Sequence, residues 1–246
     1  QSYGRSAVKV AAERNYKEYR RDETLGVRQF EIALRGLRQF STRLDGARDQ
    51  LDLEETVEET GKNAGQLKLV WTRPRKNSVK VIVLMDSGGS MYPYAHICSR
   101  LFSAVHRASH FKDLQFYYFH NCVYDELYTD ASCHPRRTVK TQDIMRSLNT
   151  DYKMILVGDA AMAPSELLMA GGNIFWDMSN DEPGINWLQR LSKKFPYNIW
   201  LNPIPEKYWE RTYGSRTIKM VREIFPMYEL SLDGLDKAIK KLMVRK

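Results

Sequence analysis

Two aspartates, a serine and a threonine are the residues of this chain whose types and places suit chemistry. Asp86 and Asp159 each close an apolar run, VKVIVLM before the first and MILVG before the second. Ser90 follows Asp86 behind the Gly88-Gly89 pair, and Thr141 precedes an Asp-apolar-apolar helix start at Asp143-Ile144-Met145. Carboxylates, hydroxyls and waters together satisfy a hard octahedral cation such as Mg²⁺, which keeps several of its waters and leaves a position for a partner's carboxylate. Mn²⁺ and Ca²⁺ suit the same oxygens. The plainer reading of Asp86 to Ser90 is a strand-to-helix turn with no ligand.

The chemistry needs these residues on one rim, and the pattern of elements supplies it. Val79 to Met85 is almost unbroken in apolar, β-branched residues and reads as a strand buried on both faces of a parallel sheet. The glycines permit a tight turn, and a helix is expected from Tyr92 to His110. Further buried strands are expected at 114–119, 154–157 and 198–201, a short return strand within 121–127, and a last strand at 228–230. Helices are expected over 142–148 (capped by Thr141), 164–169, 187–195, 215–225 and 232–244. The polar stretch around Cys133 and Pro135 reads as a loop. Alternation of this kind predicts a doubly wound, Rossmann-like α/β domain over 66–246, mostly parallel with one antiparallel edge strand. In such sheets ligands sit beyond the carboxyl ends of the strands, where the topology switches, which would bring Asp86 and Asp159 together.

Residues 1–65 read as a helical amino-terminal segment packed on that domain. Helices are expected at 7–21, at 25–40 with Val27, Phe30, Ile32, Ala33, Leu34 and Leu37 on one broad face, and at 53–60, closed by Gly61 and Gly65. The segment is too poor in bulky apolar residues to stand as its own bundle.

Composition narrows the function classes. With 246 residues, 43% of them hydrophobic, the chain can bury a sizeable core. No apolar run approaches the ~20 residues of a membrane span, and no signal-like series opens the stretch, so a cytoplasmic setting is expected for it. Cys98, Cys122 and Cys133 have neither an even count nor zinc-ligand spacing and read as free thiols. The net charge of +8 would favour acidic partners, but Lys and Arg alternate with Asp and Glu, and only Arg73-Pro74-Arg75-Lys76 and the last helix are compactly basic. A solvated surface accounts for this better than a nucleic-acid groove.

Several sharper readings lack parts. His120 with Cys122 has no orienting third group, and Ser90 has Tyr92 where an elbow serine needs a glycine. Gly88-Gly89 lacks the lysine and spacing of a phosphate loop. Asp181-Glu182 before Pro183 reads as a helix start rather than a catalytic pair. Trp176, Trp187, Trp200 and Trp209 read as core and loop packing.

The stretches ALRGLRQF, LDLEETVEETGKNAG, RPRKNSVKVIVLMDSGGSMYPY, HFKDLQFYYFHNCVYDELY, YKMILVGDAAMAP, NDEPG, WLNPIP and MYELSLDGLDKAIKKL together resemble the von Willebrand factor A (VWA) domain, specifically the bacterial CoxE-like proteins that accompany MoxR-type AAA+ ATPases. The resemblance covers nearly the whole chain. It implies a metal site, MIDAS, made by an Asp-x-Ser-x-Ser loop, a threonine in a second loop and an aspartate in a third. Carried over, Asp86 and Ser90 match the first loop, Thr141 the second, with Thr138 one turn upstream as the alternative, and Asp159 the third. The chain departs at the middle serine: Gly88 stands there, and Ser87 is one residue out of register. The resemblance implies a non-enzymatic protein-binding module with a variant metal site, an adaptor for a MoxR-type AAA+ ATPase or for a client carrying an exposed acidic residue. A Mg²⁺-dependent hydrolase of phosphorylated substrates, using the same aspartates, is the alternative.

Overall fold

The computed structural model describes residues 26–37, 42–43, 50–72, 75–76, 79–107, 111–173 and 180–243. The helix expected at 7–21 and Trp176 lie outside them. In chain order the elements are a helix over 26–35 (α1) running into a short 3-10 turn, strands Thr42–Arg43 (β1) and Gln50–Leu51 (β2), helix Leu53–Lys62 (α2), and strands Trp71–Thr72 (β3), Arg75–Lys76 (β4) and Lys80–Asp86 (β5). A 3-10 segment, Gly89–Tyr94, leads into helix Ala95–Arg107 (α3), then strands Asp113–Phe119 (β6), Glu126–Tyr128 (β7) and Thr138–Lys140 (β8). Helix Thr141–Ser147 (α4), strand Lys153–Val157 (β9), helices Pro164–Leu168 (α5) and Gly184–Lys194 (α6), strand Tyr197–Asn202 (β10), helix Ser215–Ile224 (α7), strand Met227–Glu229 (β11) and helix Leu232–Leu242 (α8) complete it.

The main sheet runs β11-β10-β9-β5-β6-β7-β8. β5 pairs in parallel with β6 and β9, and β10 in parallel with β9 and β11. β7 pairs antiparallel with both β6 and β8, so it alone runs against the rest. β5 is the first strand of this sheet in the chain and lies at its centre, with the next strand on one side and β9 on the other. The switch point falls between β5 and β9.

The sheet is covered on both faces, which is why its central strands are nearly continuous in apolar residues. Ile82 and Leu84 of β5 join Ile144 of α4, Leu167 of α5, Trp187, Leu188 and Leu191 of α6, and Ile218 and Val221 of α7 in one core. Val81, Val83 and Met85 point the other way, into a core shared with Leu101 and Val105 of α3, Leu235 and Ile239 of α8, and Val27, Phe30, Leu34 and Leu37 of the α1 segment. Ile32 is the exception to the expected apolar face and is 56% exposed. Trp187, Trp200 and Trp209 are buried, as expected of packing residues.

Local signals act where the sequence put them, with some shifts. Asp52 caps α2 by accepting from the Glu55 amide, and Gly65 takes the positive φ that ends the turn, whereas Gly61 lies within the helix. Pro93 sits inside the 3-10 segment, so the α-helix begins at Ala95 rather than Tyr92. β8 occupies the end of the stretch read as loop, because three short edge residues gain their hydrogen bonds from β7 rather than from an apolar pattern. Thr141 is the first residue of α4 and not its cap; Lys140 holds that place. No described helix is long and apolar enough to cross a membrane.

Candidate metal centre

Asp86 is the last residue of β5 and is 3% exposed. Its Oδ1 accepts from the Gly88 amide at 2.7 Å and the Asn121 amide at 3.0 Å, which ties the first loop to the turn that follows β6. Its Oδ2 is shut off from solvent and has no hydrogen-bond partner among the described residues. Gly158 makes room for it: a β-carbon there would stand 2.9 Å from Asp86 Cβ and 3.3 Å from Oδ2.

Asp159, beyond β9, is 4% exposed and accepts from the Ala161 amide at 2.9 Å. The Ser90 hydroxyl lies near enough to pull the Asp159 carboxyl down against the effect of burial, so the first and third loops approach one another. Ala160 holds a left-handed φ of 55°, and Thr217 of α7 donates to its carbonyl at 2.8 Å. Asn202, at the end of β10, donates to the Asp159 carbonyl at 2.8 Å. The third loop is therefore held by both neighbouring elements.

Glu166 is a third buried carboxylate, 1% exposed, on α5. Its Oε2 accepts from the Ala163 amide at the start of its own helix, and its Oε1 from Asn121 Nδ2 at 2.9 Å. None of the ion pairs among the described residues involves Asp86, Asp159 or Glu166. Burial first, then the Asp159 charge, push Asp86 up from 3.8 to about 7, against the opposing pull of the two amides. Asp159 is raised as well, again chiefly by burial.

Thus the structure brings Asp86, Asp159 and Ser90 together at the switch point. Thr141 is fully buried and donates through Oγ1 to the Tyr124 carbonyl at 2.6 Å; among the described residues it shares no hydrogen bond with the other three. That bond uses the hydroxyl proton and leaves the oxygen's lone pairs for another partner. Thr138 lies in β8, paired with Tyr128. Sequence reasoning missed Asn121 and Glu166. The signal for them was indirect: a glycine where a side chain is expected implies that something else fills the space.

Among the described residues no group of three or more His, Cys, Asp or Glu side chains is placed to hold a metal ion, so any cation here would depend on two carboxylates supplemented by neutral oxygens. Two buried carboxylates with no counter-charge among the described residues, one of them with an orphaned oxygen, are costly unless a proton or a cation balances them. Asp86 and Asp159 would supply negative oxygens and Ser90 a neutral one; the ion would contribute an electrophilic position for an acidic ligand. A nucleophilic thiol at Cys122 finds no support, because burial pushes it well above the ordinary thiol range, and Cys98 and Cys133 are each pushed up to about 12. All three cysteines are free and buried.

Residues 27–128 match the model of a family described as VWA domain containing CoxE-like protein. The match runs from α1 through β7 and includes Asp86, Ser90 and Asn121. No curated protein and no solved structure matches the chain. With the parallel sheet centred on β5 and the acidic loop at its carboxyl end, the match makes residues 27–128, less than half of the chain, similar to a CoxE-like VWA domain.

Proposed function

We propose that this VWA-like domain is a non-enzymatic binding module that holds a divalent cation, Mg²⁺ or Mn²⁺, at Asp86, Ser90, Asp159 and Thr141 and uses it to capture a partner's carboxylate. The observation that carries the reading is the orphaned, buried Asp86 Oδ2 beside Asp159, with no ion pair to either among the described residues. The likeness to CoxE-like proteins supports a MoxR-type AAA+ ATPase, or a client of one, as the partner, and an exposed acidic residue is the feature that such a site selects. The module works in the cytoplasm on this reading.

Calorimetric titration of the purified chain with Mg²⁺ and Mn²⁺, followed by pull-down of a MoxR-type ATPase in Mg²⁺ and in EDTA, tests it. Binding should require the ion and be lost in Asp86→Ala. Full partner binding by a folded Asp86→Ala variant, judged by circular dichroism, would remove the acidic loop from the mechanism.

A further inference from the structure

Gly88 stands where the VWA loop has its middle serine, and the space a side chain would need is already taken. A β-carbon on Gly88 would fall 2.1 Å from Asn121 Oδ1, 3.2 Å from Asn121 Cγ and 3.1 Å from Asp86 Oδ1. The first distance is far inside van der Waals contact, so residue 88 carries no side chain while Asn121 keeps this position.

Asn121 is held there by three restraints. Its backbone is left-handed, with φ 59°, a conformation that asparagine adopts more readily than most residues. Its amide N–H donates to Asp86 Oδ1 at 3.0 Å. Its Nδ2 donates to Glu166 Oε1 at 2.9 Å. Glu166 accepts through both oxygens, Oε2 from the Ala163 amide and Oε1 from Asn121, so the NH₂ of Asn121 faces Glu166 and its oxygen lies on the Gly88 side. Among the described residues Asn121 Oδ1 accepts no hydrogen bond. A neutral, hard oxygen thus lies against the acidic loop with no donor to it among the described residues.

We infer that Asn121 Oδ1 takes the place of the missing serine hydroxyl as an oxygen donor to the cation, with Glu166 as the positioning residue that aims it. This rests on the cation reading proposed above. The amide oxygen belongs to the class of ligand that Mg²⁺, Mn²⁺ and Ca²⁺ accept, and it comes from the loop after β6 rather than from the loop after β5. Serine at 88 and asparagine at 121 are then alternatives for one position in space.

Mn²⁺ affinity of the full chain, measured by electron paramagnetic resonance of the free ion, together with thermal unfolding in EDTA, tests the exchange. Asn121→Gly keeps the left-handed backbone and removes the oxygen; it should weaken Mn²⁺ binding about tenfold or more. Gly88→Ser alone should lower the unfolding temperature in EDTA, because its β-carbon meets Asn121. The double variant Gly88→Ser/Asn121→Gly should recover both the temperature and most of the affinity. Wild-type affinity in Asn121→Gly would overturn the inference and leave the cation reading intact, whereas no Mn²⁺ binding by the wild type would overturn both. If Asn121→Gly does not fold, the comparison passes to Gly88→Ser/Asn121→Gly against Gly88→Ala/Asn121→Gly, which differ by one hydroxyl. The serine pair must then bind Mn²⁺ at least about tenfold tighter, and equal affinities refute the exchange.

Discussion

In EDTA the protein should lose stability as the pH rises from 4 to 8, and Asp86→Asn should remove most of that loss. Asp86 is buried beside Asp159, and its pKa in the folded chain lies at about 7 rather than 3.8. Because the folded value is the higher one, the native state holds a proton that the unfolded chain has already released. The stabilisation is complete below about pH 4 and is lost as the pH passes through about 7. A displacement of roughly three pH units, at about 1.4 kcal/mol each, sets the loss at about 4 kcal/mol as an upper value. Asparagine has the same shape and no charge, so wild type and variant should agree near pH 4 and differ by up to about 4 kcal/mol, in the variant's favour, at pH 8. Comparing the two chains cancels the titrating groups that do not interact with Asp86, among them the half-buried Asp113, whose shift is opposite. Asp159 acts on Asp86 through its charge, and its own rise, of the same sign, is part of the difference. Urea unfolding at half-unit pH steps reads the difference directly. Adding Mn²⁺ at pH 8 should restore the wild type and leave the variant unmoved. Parallel pH profiles for the two chains in EDTA, or a variant less stable than wild type at pH 8, would refute the electrostatic account of the site.

Two further substitutions test how the rim is held. Trp200→Phe removes the indole donor to the Gly158 carbonyl, a buried bond of 2.7 Å, and should cost about 1–3 kcal/mol in chemical denaturation, since the carbonyl is left without its partner. Gly214→Ala forces a β-carbon to 2.5 Å from Ala161 Cα at a φ of 81°, and should lower stability by about 2 kcal/mol or more; an unchanged unfolding temperature would show that the α7 entry loop yields freely.

The parts of this fold that burial dictates were plain in the sequence. β5, β9 and β10 are largely apolar runs because helices cover both faces of the sheet, whereas β6, expected as a buried strand, is half-buried from Asp113 to Tyr118 and buried only at Phe119. Asp86 and Asp159 are conspicuous because a charge ends each of two buried runs. Elements fixed by partners rather than by composition were not plain. β8 is three residues long, partly polar, and exists because β7 offers it hydrogen bonds. Ile32 fits the apolar stripe of α1 yet faces outward, because the stripe that packs is the narrower Val27-Phe30-Leu34-Leu37 row. Asn121 and Glu166 were invisible as site residues, since their roles depend on a left-handed turn and on a contact between a loop and a helix 45 residues apart.

The placement of β5 has a consequence for how the chain reaches its native state. This strand is formed early in the sequence, but its partner β9 comes only after the whole β6–β8 excursion, and until the two pair in register there is no rim between Asp86 and Asp159. Closing so long a loop is slow compared with local helix formation. The rim that joins Asp86 to Asp159 is therefore a late product of folding, absent from every partly folded chain in which β9 has not docked. An ion that binds only the finished domain adds its full binding free energy to the native state and none to its precursors. Metal supply would then act on the population of assembled protein as well as on its affinity for a partner, and a chain made without the ion would spend longer with its central strand unpaired on one side.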